Sequence, residues 1–296
     1  MSSKGSHDKT TDVVIVGAGP AGLSAAVNAK ARNLSAVVIS AHDPVAKVRT
    51  YPEVTNYLGY PKASGAELAN HFAQHFAKTG FRFVRERTQK IVPQDDTIMV
   101  GTDKEVYDGK TVILAFGVAQ TKLLPGEEQY LGRGVSYCVT CDGALFSGKD
   151  VVVIGYIPEG EEEANALAGS ARSVTYVATY EKVETLHPAV KLVNARPTAI
   201  VGDTRVTGIK TDLGEMSADG VFVVRDVMPV GTLLEGLAVE DSFIQVDRTM
   251  ATNIPGIFAA GDCTGAPFQI AKGVGEGQVA ALSAARYVYK QRKKES

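Results

Sequence analysis

Short unbroken apolar runs that end on glycine and lead into helical patterns recur along this chain. Residues 12–27, Asp-Val-Val-Ile-Val-Gly-Ala-Gly-Pro-Ala-Gly-Leu-Ser-Ala-Ala-Val, read as a buried strand, a glycine turn and a small-residue helix. The same opening returns at Val151-Val-Val-Ile-Gly-Tyr-Ile-Pro-Glu-Gly-Glu-Glu-Glu-Ala, ahead of a second helical pattern. Two further runs, Thr111-Val-Ile-Leu-Ala-Phe-Gly and Ile257-Phe-Ala-Ala-Gly-Asp-Cys-Thr-Gly, bring Gly117, Gly261 and Asp262 to strand carboxyl ends. Ligands sit at such ends in parallel α/β sheets. Gly273 to Ala285 reads as a glycine-rich entry into an apolar helix, and Leu124-Pro-Gly-Glu marks a crossing between units. The pattern predicts an α/β chain of two related units, the C-terminal segment returning to complete the first.

Composition narrows this without changing it. The 296 residues, 45% hydrophobic and 22% charged, are long enough for two domains. A formal net charge of -2 offers no basic balance for nucleic acid. No apolar run approaches the roughly 18 residues that a membrane span needs. Met1 to Thr11 is polar and lacks an apolar core, so it reads as a short leader rather than a signal peptide, and a cytoplasmic location is expected.

Three cysteines are present, two of them as Cys138-Val-Thr-Cys141. Zinc needs four ligands, and Cys263 with five scattered histidines does not supply the missing pair. A disulfide spanning two residues restrains little chain entropy, so a purely structural bridge is a poor account. Redox exchange suits the motif, since a thiolate at a helix start is stabilised and a second thiol resolves mixed disulfides. Cys263 has no partner in sequence and reads as packing. His71 and His75 share helical spacing and read as a half-exposed helix face.

The two glycine turns differ. In the first, Gly17 makes the turn, Gly19 clears space for a pyrophosphate and Gly22 lets helix and strand pack closely. The next strand ends in Ser40, where an acidic residue usually takes the ribose hydroxyls. In the second turn, Ile157 stands where a glycine should be. Pro158 and Glu159 replace the phosphate cradle, and Glu161, Glu162 and Glu163 follow. Negative charge at that helix start repels a phosphate. The strand Ser173-Val-Thr-Tyr-Val runs on without paired arginines, so neither NADPH nor NADH is expected to bind.

Taken together, GAGPAG at 17–22, Ala115-Phe-Gly117, Cys138-Val-Thr-Cys141-Asp142-Gly and Ala260-Gly-Asp-Cys resemble the low-molecular-weight thioredoxin reductases over nearly the whole chain. Gly155-Tyr156 before an acidic helix start, Asn56-Tyr-Leu-Gly-Tyr and Val274-Gly-Glu-Gly-Gln-Val-Ala-Ala resemble their ferredoxin-dependent flavin branch. The resemblance implies two Rossmann-like dinucleotide-binding-type domains. A discontinuous FAD domain would span 1–118 and 242–296, with a central CxxC domain of degenerate NADPH-type fold inserted at 119–241. It implies that Gly17, Gly19, Pro20, Ala21, Gly22 and Ser40 hold the ADP part of FAD, and that Asn56, Gly117, Gly261, Asp262, Gln269 and Ala271 line the flavin end. Phe268 stands where relatives carry an arginine.

It also implies that Cys141 faces the flavin, Cys138 attacks the disulfide of thioredoxin and Asp142 acts as acid or base. Ferredoxin would be the electron donor, because flavin joins a one-electron donor to a two-electron acceptor. Hinges are expected near Val118 to Leu124 and Glu240 to Phe243, and a homodimer is implied. Lys122, Arg133, Arg49, Arg82, Arg85 and Arg87 are candidates for a ferredoxin surface by charge. The competing readings are an NADPH-dependent thioredoxin reductase with an atypical nucleotide site, a non-catalytic flavin-binding protein, and a central site holding a second ligand between Tyr156 and Tyr180.

Overall fold

The structure is a computed structural model that describes residues 10–117, 123–225 and 230–295. The chain divides into two units, the first made of residues 1–120 and 229–296 and the second of 121–228.

In the first unit the leading apolar run forms β1 (Thr11–Val16), followed by α1 (Pro20–Ala31) and β2 (Ala36–Ser40). Next come α2 (Ala46–Arg49), α3 (Gly65–Ala77), β3 (Arg82–Arg85), β4 (Thr88–Pro93), β5 (Ile98–Thr102) and β6 (Val106–Leu114). The second unit contains β7 (Val135–Ser136), α4 (Val139–Asp142), β8 (Asp150–Gly155), α5 (Gly160–Leu167), β9 (Ser173–Ala178) and β10 (Val190–Val193). It closes with β11 (Pro197–Gly202), β12 (Val206–Thr211), β13 (Gly214–Ser217) and β14 (Gly220–Val224). The chain then returns to the first unit as α6 (Val230–Leu233), β15 (Val239–Glu240), β16 (Phe243–Ile244), β17 (Ile257–Ala259) and α7 (Ile270–Glu295).

The two units repeat one plan. Strand order β3-β2-β1-β6 in the first corresponds to β10-β9-β8-β14 in the second, and all these neighbours run parallel. Each sheet is covered by helix on one face and by an antiparallel three-stranded layer on the other, so its strands are apolar on both sides. The antiparallel layer is β4-β5-β6 in the first unit and β11-β12-β13 in the second. Close contact of α1 with α7 closes the first unit: a Cβ built on Gly277 would lie 2.1 Å from the Ala21 carbonyl oxygen.

Three expectations change. The return to the first unit falls at 228/229 rather than 241/242, because Leu233, Leu234 and Leu237 bury themselves against Val14, Val16 and Ile39. Glu240 to Phe243 lies within the first unit rather than at the crossing between units. It is a hairpin within that unit, with Asp241 and Ser242 at φ 50 and 68, the two positive values of a tight two-residue turn. The expected first hinge falls mostly on residues 118–122, outside the described residues. The glycine-rich stretch is itself helix, since α7 starts at Ile270 and continues through the charged end, where Arg292 meets Asp12 at 2.6 Å.

One ion pair organises the second unit near both of its ends. The Arg225 guanidinium meets the Glu127 carboxylate bidentately, 2.7 Å on each arm, with side chains 1% and 0% exposed. The Leu124 amide and the Tyr137 hydroxyl also donate to Glu127, each at 2.8 Å, and Arg225 lies over the Tyr156 ring. Breaking such a pair strands a buried charge. Glu127→Gln is therefore expected to cost about 3–5 kcal/mol in urea denaturation of the full chain, while Glu127→Leu with Arg225→Met costs less.

Candidate active site

Strands β1, β6 and β17 are neighbours, so their carboxyl ends bring Gly17, Gly117, Gly261 and Asp262 to one edge. Gly17 has φ 112, and a Cβ there would lie 2.2 Å from the Ala115 carbonyl oxygen, so only glycine fits the turn. A side chain at Gly19, by contrast, would project into open space. Helix α1 begins beyond it with Pro20 and Ala21, with no side-chain cap and no acidic residue in its first turn. Its positive end is left free for an anion, and the open space over Gly19 fits a diphosphate.

Ser40 ends β2, half-buried, its hydroxyl accepting from the His42 amide. Asn56 donates to Gln269 Oε1 at 2.8 Å; both are exposed, as is Ala271 on the first turn of α7. Asp262 is half-buried. Burial raises its carboxyl above the ordinary range, against the pull of Lys47 and Lys272.

Sequence reasoning missed what holds this edge. Glu276 Oε2 accepts from the Gly261 amide at 2.8 Å, and Lys272 Nζ donates to the carbonyls of Gly261 and Gly265 at 2.8 and 2.6 Å. The pair is four residues apart on α7, 3.2 Å between charged atoms. Only the i,i+4 spacing of opposite charges was there to be read. Cys263 is buried with its thiol pushed up to about 12 by that burial, in keeping with a packing role.

The corresponding turn of the second unit is packed by a buried tyrosine. Tyr176 rises from β9 so that a Cβ built on Gly155 would lie 1.9 Å from its hydroxyl oxygen, and one on Gly160 would lie 2.7 Å away. Two glycines of the old fingerprint remain, and they make room for a phenol. Burial pushes the Tyr176 hydroxyl up to about 12, so it stays neutral. It meets Tyr180 Oη at 2.8 Å, and Tyr180 donates to Glu161 Oε1 at 2.7 Å.

Glu161, 2% exposed, also accepts from the amides of Glu184 and Thr185 and from the Thr185 hydroxyl. Burial alone would raise this carboxyl, but the bonds from Tyr180, Thr185 and Glu184 outweigh it and hold the group below its ordinary range. One helical turn on, Asn165 donates to the Thr185 carbonyl and accepts from the His187 amide, each at 2.7 Å. The loop after β9 is thus fastened to the start of α5. Ile157, in the place of the middle glycine, is half-buried against the core, Glu159 is exposed at the start of α5, and Tyr176, Tyr180 and Glu161 pack beneath the turn and hold the loop after β9. Tyr156 and Tyr180, candidates for stacking on a second ligand, are engaged with Arg225 and Glu161.

At the sheet edge of the same unit, β7 pairs with β14 and delivers the cysteines. Cys138 and Cys141 form a disulfide, Cα atoms 5.3 Å apart, with the Cys141 amide donating to Cys138 Sγ at 3.0 Å. Cys138 is 8% exposed, whereas Cys141 is exposed and Asp142 half-buried. The preceding residues are pinned by opposite partners: Tyr137 to Glu127, and Ser136 to Asp142 Oδ2 at 2.7 Å. His71 and His75 are exposed on α3, and His71 lies beside the Tyr60 ring.

The Pyridine nucleotide-disulphide oxidoreductase family profile matches residues 11–281. The thioredoxin reductase of Bacillus subtilis is 33% identical over 304 residues, covering 96% of each chain. Among solved structures, a ferredoxin-flavin thioredoxin reductase from Clostridium acetobutylicum is 44% identical with TM-score 0.89, covering 95% of this chain and 99% of that one. A second from the same organism is 38% identical with TM-score 0.84, covering 96% and 99%. The chain belongs to the pyridine nucleotide-disulphide oxidoreductase family. Within it, the protein is a thioredoxin reductase-type flavoprotein disulfide oxidoreductase, and its resemblance to the ferredoxin-flavin thioredoxin reductases holds over nearly the full length.

Removing the Glu161 carboxylate takes away charge-assisted bonds worth about 1.5–3 kcal/mol each. In Glu161→Ala, hydrogen exchange at the Glu184 and Thr185 amides is expected to rise by about tenfold or more, with the β8 amides unchanged.

Proposed function

We propose that this flavoprotein takes electrons from reduced ferredoxin rather than from a nicotinamide nucleotide and passes them through FAD to Cys138 and Cys141, and then to thioredoxin. The altered turn at α5 carries this reading. A dinucleotide needs its pyrophosphate against free first-turn amides; here Ile157 takes the place of the middle glycine, the Gly160 and Glu161 amides already donate to the Ile157 and Pro158 carbonyls, and the first turn carries three glutamates. The loop that would reach a 2′-phosphate is tied down through Thr185 and His187. The same observation disfavours an NADPH-dependent reductase. The intact disulfide beside Asp142 disfavours a non-catalytic flavin protein.

FAD is assigned to the open crest, with Gly17, Gly19, Pro20, Ala21, Gly22 and Ser40 toward its ADP part. Asn56, Gly117, Gly261, Asp262, Gln269 and Ala271 are assigned toward the flavin. Bound there, FAD supplies the conversion between one-electron and two-electron chemistry. The protein's own groups then do the rest. Two electrons and two protons turn the Cys138–Cys141 disulfide into a dithiol, and Cys141, the exposed cysteine of the two, is assigned the electrons from the flavin. Cys138 is assigned the attack on thioredoxin, which requires it to be uncovered from its 8% exposure. Asp142 is assigned the proton transfers.

Of the arginines proposed for ferredoxin, Arg82 and Arg85 already face Glu105 and Asp43, and Arg49 donates to Asn70. The Arg87 amide donates to Asp103. Arg133 is exposed, and Lys122 lies outside the described residues. The protein is proposed to work in the cytoplasm as a homodimer; among the described residues no helix is long and apolar enough to cross a membrane.

Mixing with NADPH or NADH in excess is expected to leave the flavin absorbance unbleached, while reduced ferredoxin bleaches it and supports thioredoxin reduction. Rapid bleaching by micromolar NADPH would falsify the donor assignment. Cys138→Ser and Cys141→Ser are each expected to abolish turnover and retain bound flavin; turnover by either variant removes that cysteine from the route.

A further inference from the structure

Ser136 is the last residue of β7 and is 4% exposed. Three polar atoms converge on its hydroxyl: Asp142 Oδ2 at 2.7 Å, the Cys138 amide nitrogen at 3.1 Å and the Cys138 carbonyl oxygen at 3.3 Å. A serine hydroxyl has one hydrogen to give and two lone pairs to accept with. The Cys138 N–H occupies one lone pair. When Asp142 is ionised, the serine hydrogen goes to Oδ2. When Asp142 is protonated, its own O–H takes the second lone pair, and the serine hydrogen turns to the Cys138 carbonyl. Both protonation states therefore keep a full set of hydrogen bonds, and only hydrogens move.

That property matters because a buried polar group left unpaired costs about 1–3 kcal/mol. With alanine at 136, Asp142 and the Cys138 amide would both lose the hydroxyl that links them. Meanwhile Tyr137, the next residue, is fastened to the buried Glu127, so the segment has little freedom to find a replacement.

We infer that Ser136 is a positioning residue for dithiol exchange, one that lets Asp142 gain and lose a proton in place. This rests on the proposed acid–base role of Asp142. In the exchange, the attacking cysteine gives its proton to Asp142. Its sulfur bonds to one sulfur of the partner disulfide, that S–S bond breaks, and the departing sulfur takes the proton back. The second cysteine then attacks the mixed disulfide, and its proton ends on the second released sulfur. Two electrons and two protons have left the pair, and Asp142 is as it began.

The test is single-turnover exchange between the dithiothreitol-reduced holoenzyme and oxidised thioredoxin, quenched with an alkylating agent and read by mass. Ser136→Ala is expected to lower the maximal rate by about ten- to hundredfold, the range set by loss of one hydrogen bond to a charged group. The thioredoxin concentration giving half that rate should stay the same. Ser136→Thr keeps the hydroxyl and is expected to stay within about threefold of the parent, and adding Ser136→Ala to Asp142→Asn should slow it no further. A normal rate in Ser136→Ala beside a slow Asp142→Asn overturns the inference and leaves the acid–base role standing. A normal rate in Asp142→Asn removes that role itself. Equal losses in Ser136→Ala and Ser136→Thr mark a packing position and also overturn the inference.

Discussion

A phosphate reaches the start of a helix only where the backbone amides are not already covered, and this constraint separates the two halves of the molecule. Strand, turn and helix are built alike at β1–α1 and β8–α5. At the first, nothing stands over Gly19. At the second, Ile157 stands in place of Gly19, a tyrosine from the neighbouring strand occupies the hollow between Gly155 and Gly160, and a carboxylate on the helix itself binds the following loop. The Gly160 and Glu161 amides at that helix start donate to the Ile157 and Pro158 carbonyls of the turn itself.

The second unit's nucleotide-type sheet also carries the redox pair. The parallel sheet delivers β7 to an edge position, and the last residue of the strand and the one after it turn to different partners. Tyr137 donates to the buried Glu127, while Ser136 donates to Asp142. The redox pair is therefore set in a segment held from both sides.

Much of this was legible along the chain. Apolar runs ending on glycine located β1, β6, β8 and β17, and the CxxC named the redox pair. The failures share a cause. Tyr176, Tyr180, Glu161 and Thr185 belong to three elements, and no spacing rule connects a strand tyrosine with an acid on another helix. Only Ile157, at the altered glycine, and Glu159, two residues on, are legible from the turn itself. The hairpin at Asp241 and Ser242 was missed because positive φ is usually announced by glycine or asparagine, and neither is present. Lys272 and Glu276 were hidden inside a helix pattern, their backbone partners lying on a different strand's end.

The seam between α1 and α7 has a consequence for synthesis. Residues more than two hundred positions apart meet there, Gly277 against Ala21. A ribosome delivers the α1 side of this seam well before the α7 side, whereas the disulfide-bearing unit is continuous and ends at residue 228. The part that exchanges thiols has all its strands before the part assigned to FAD receives the helix that closes it.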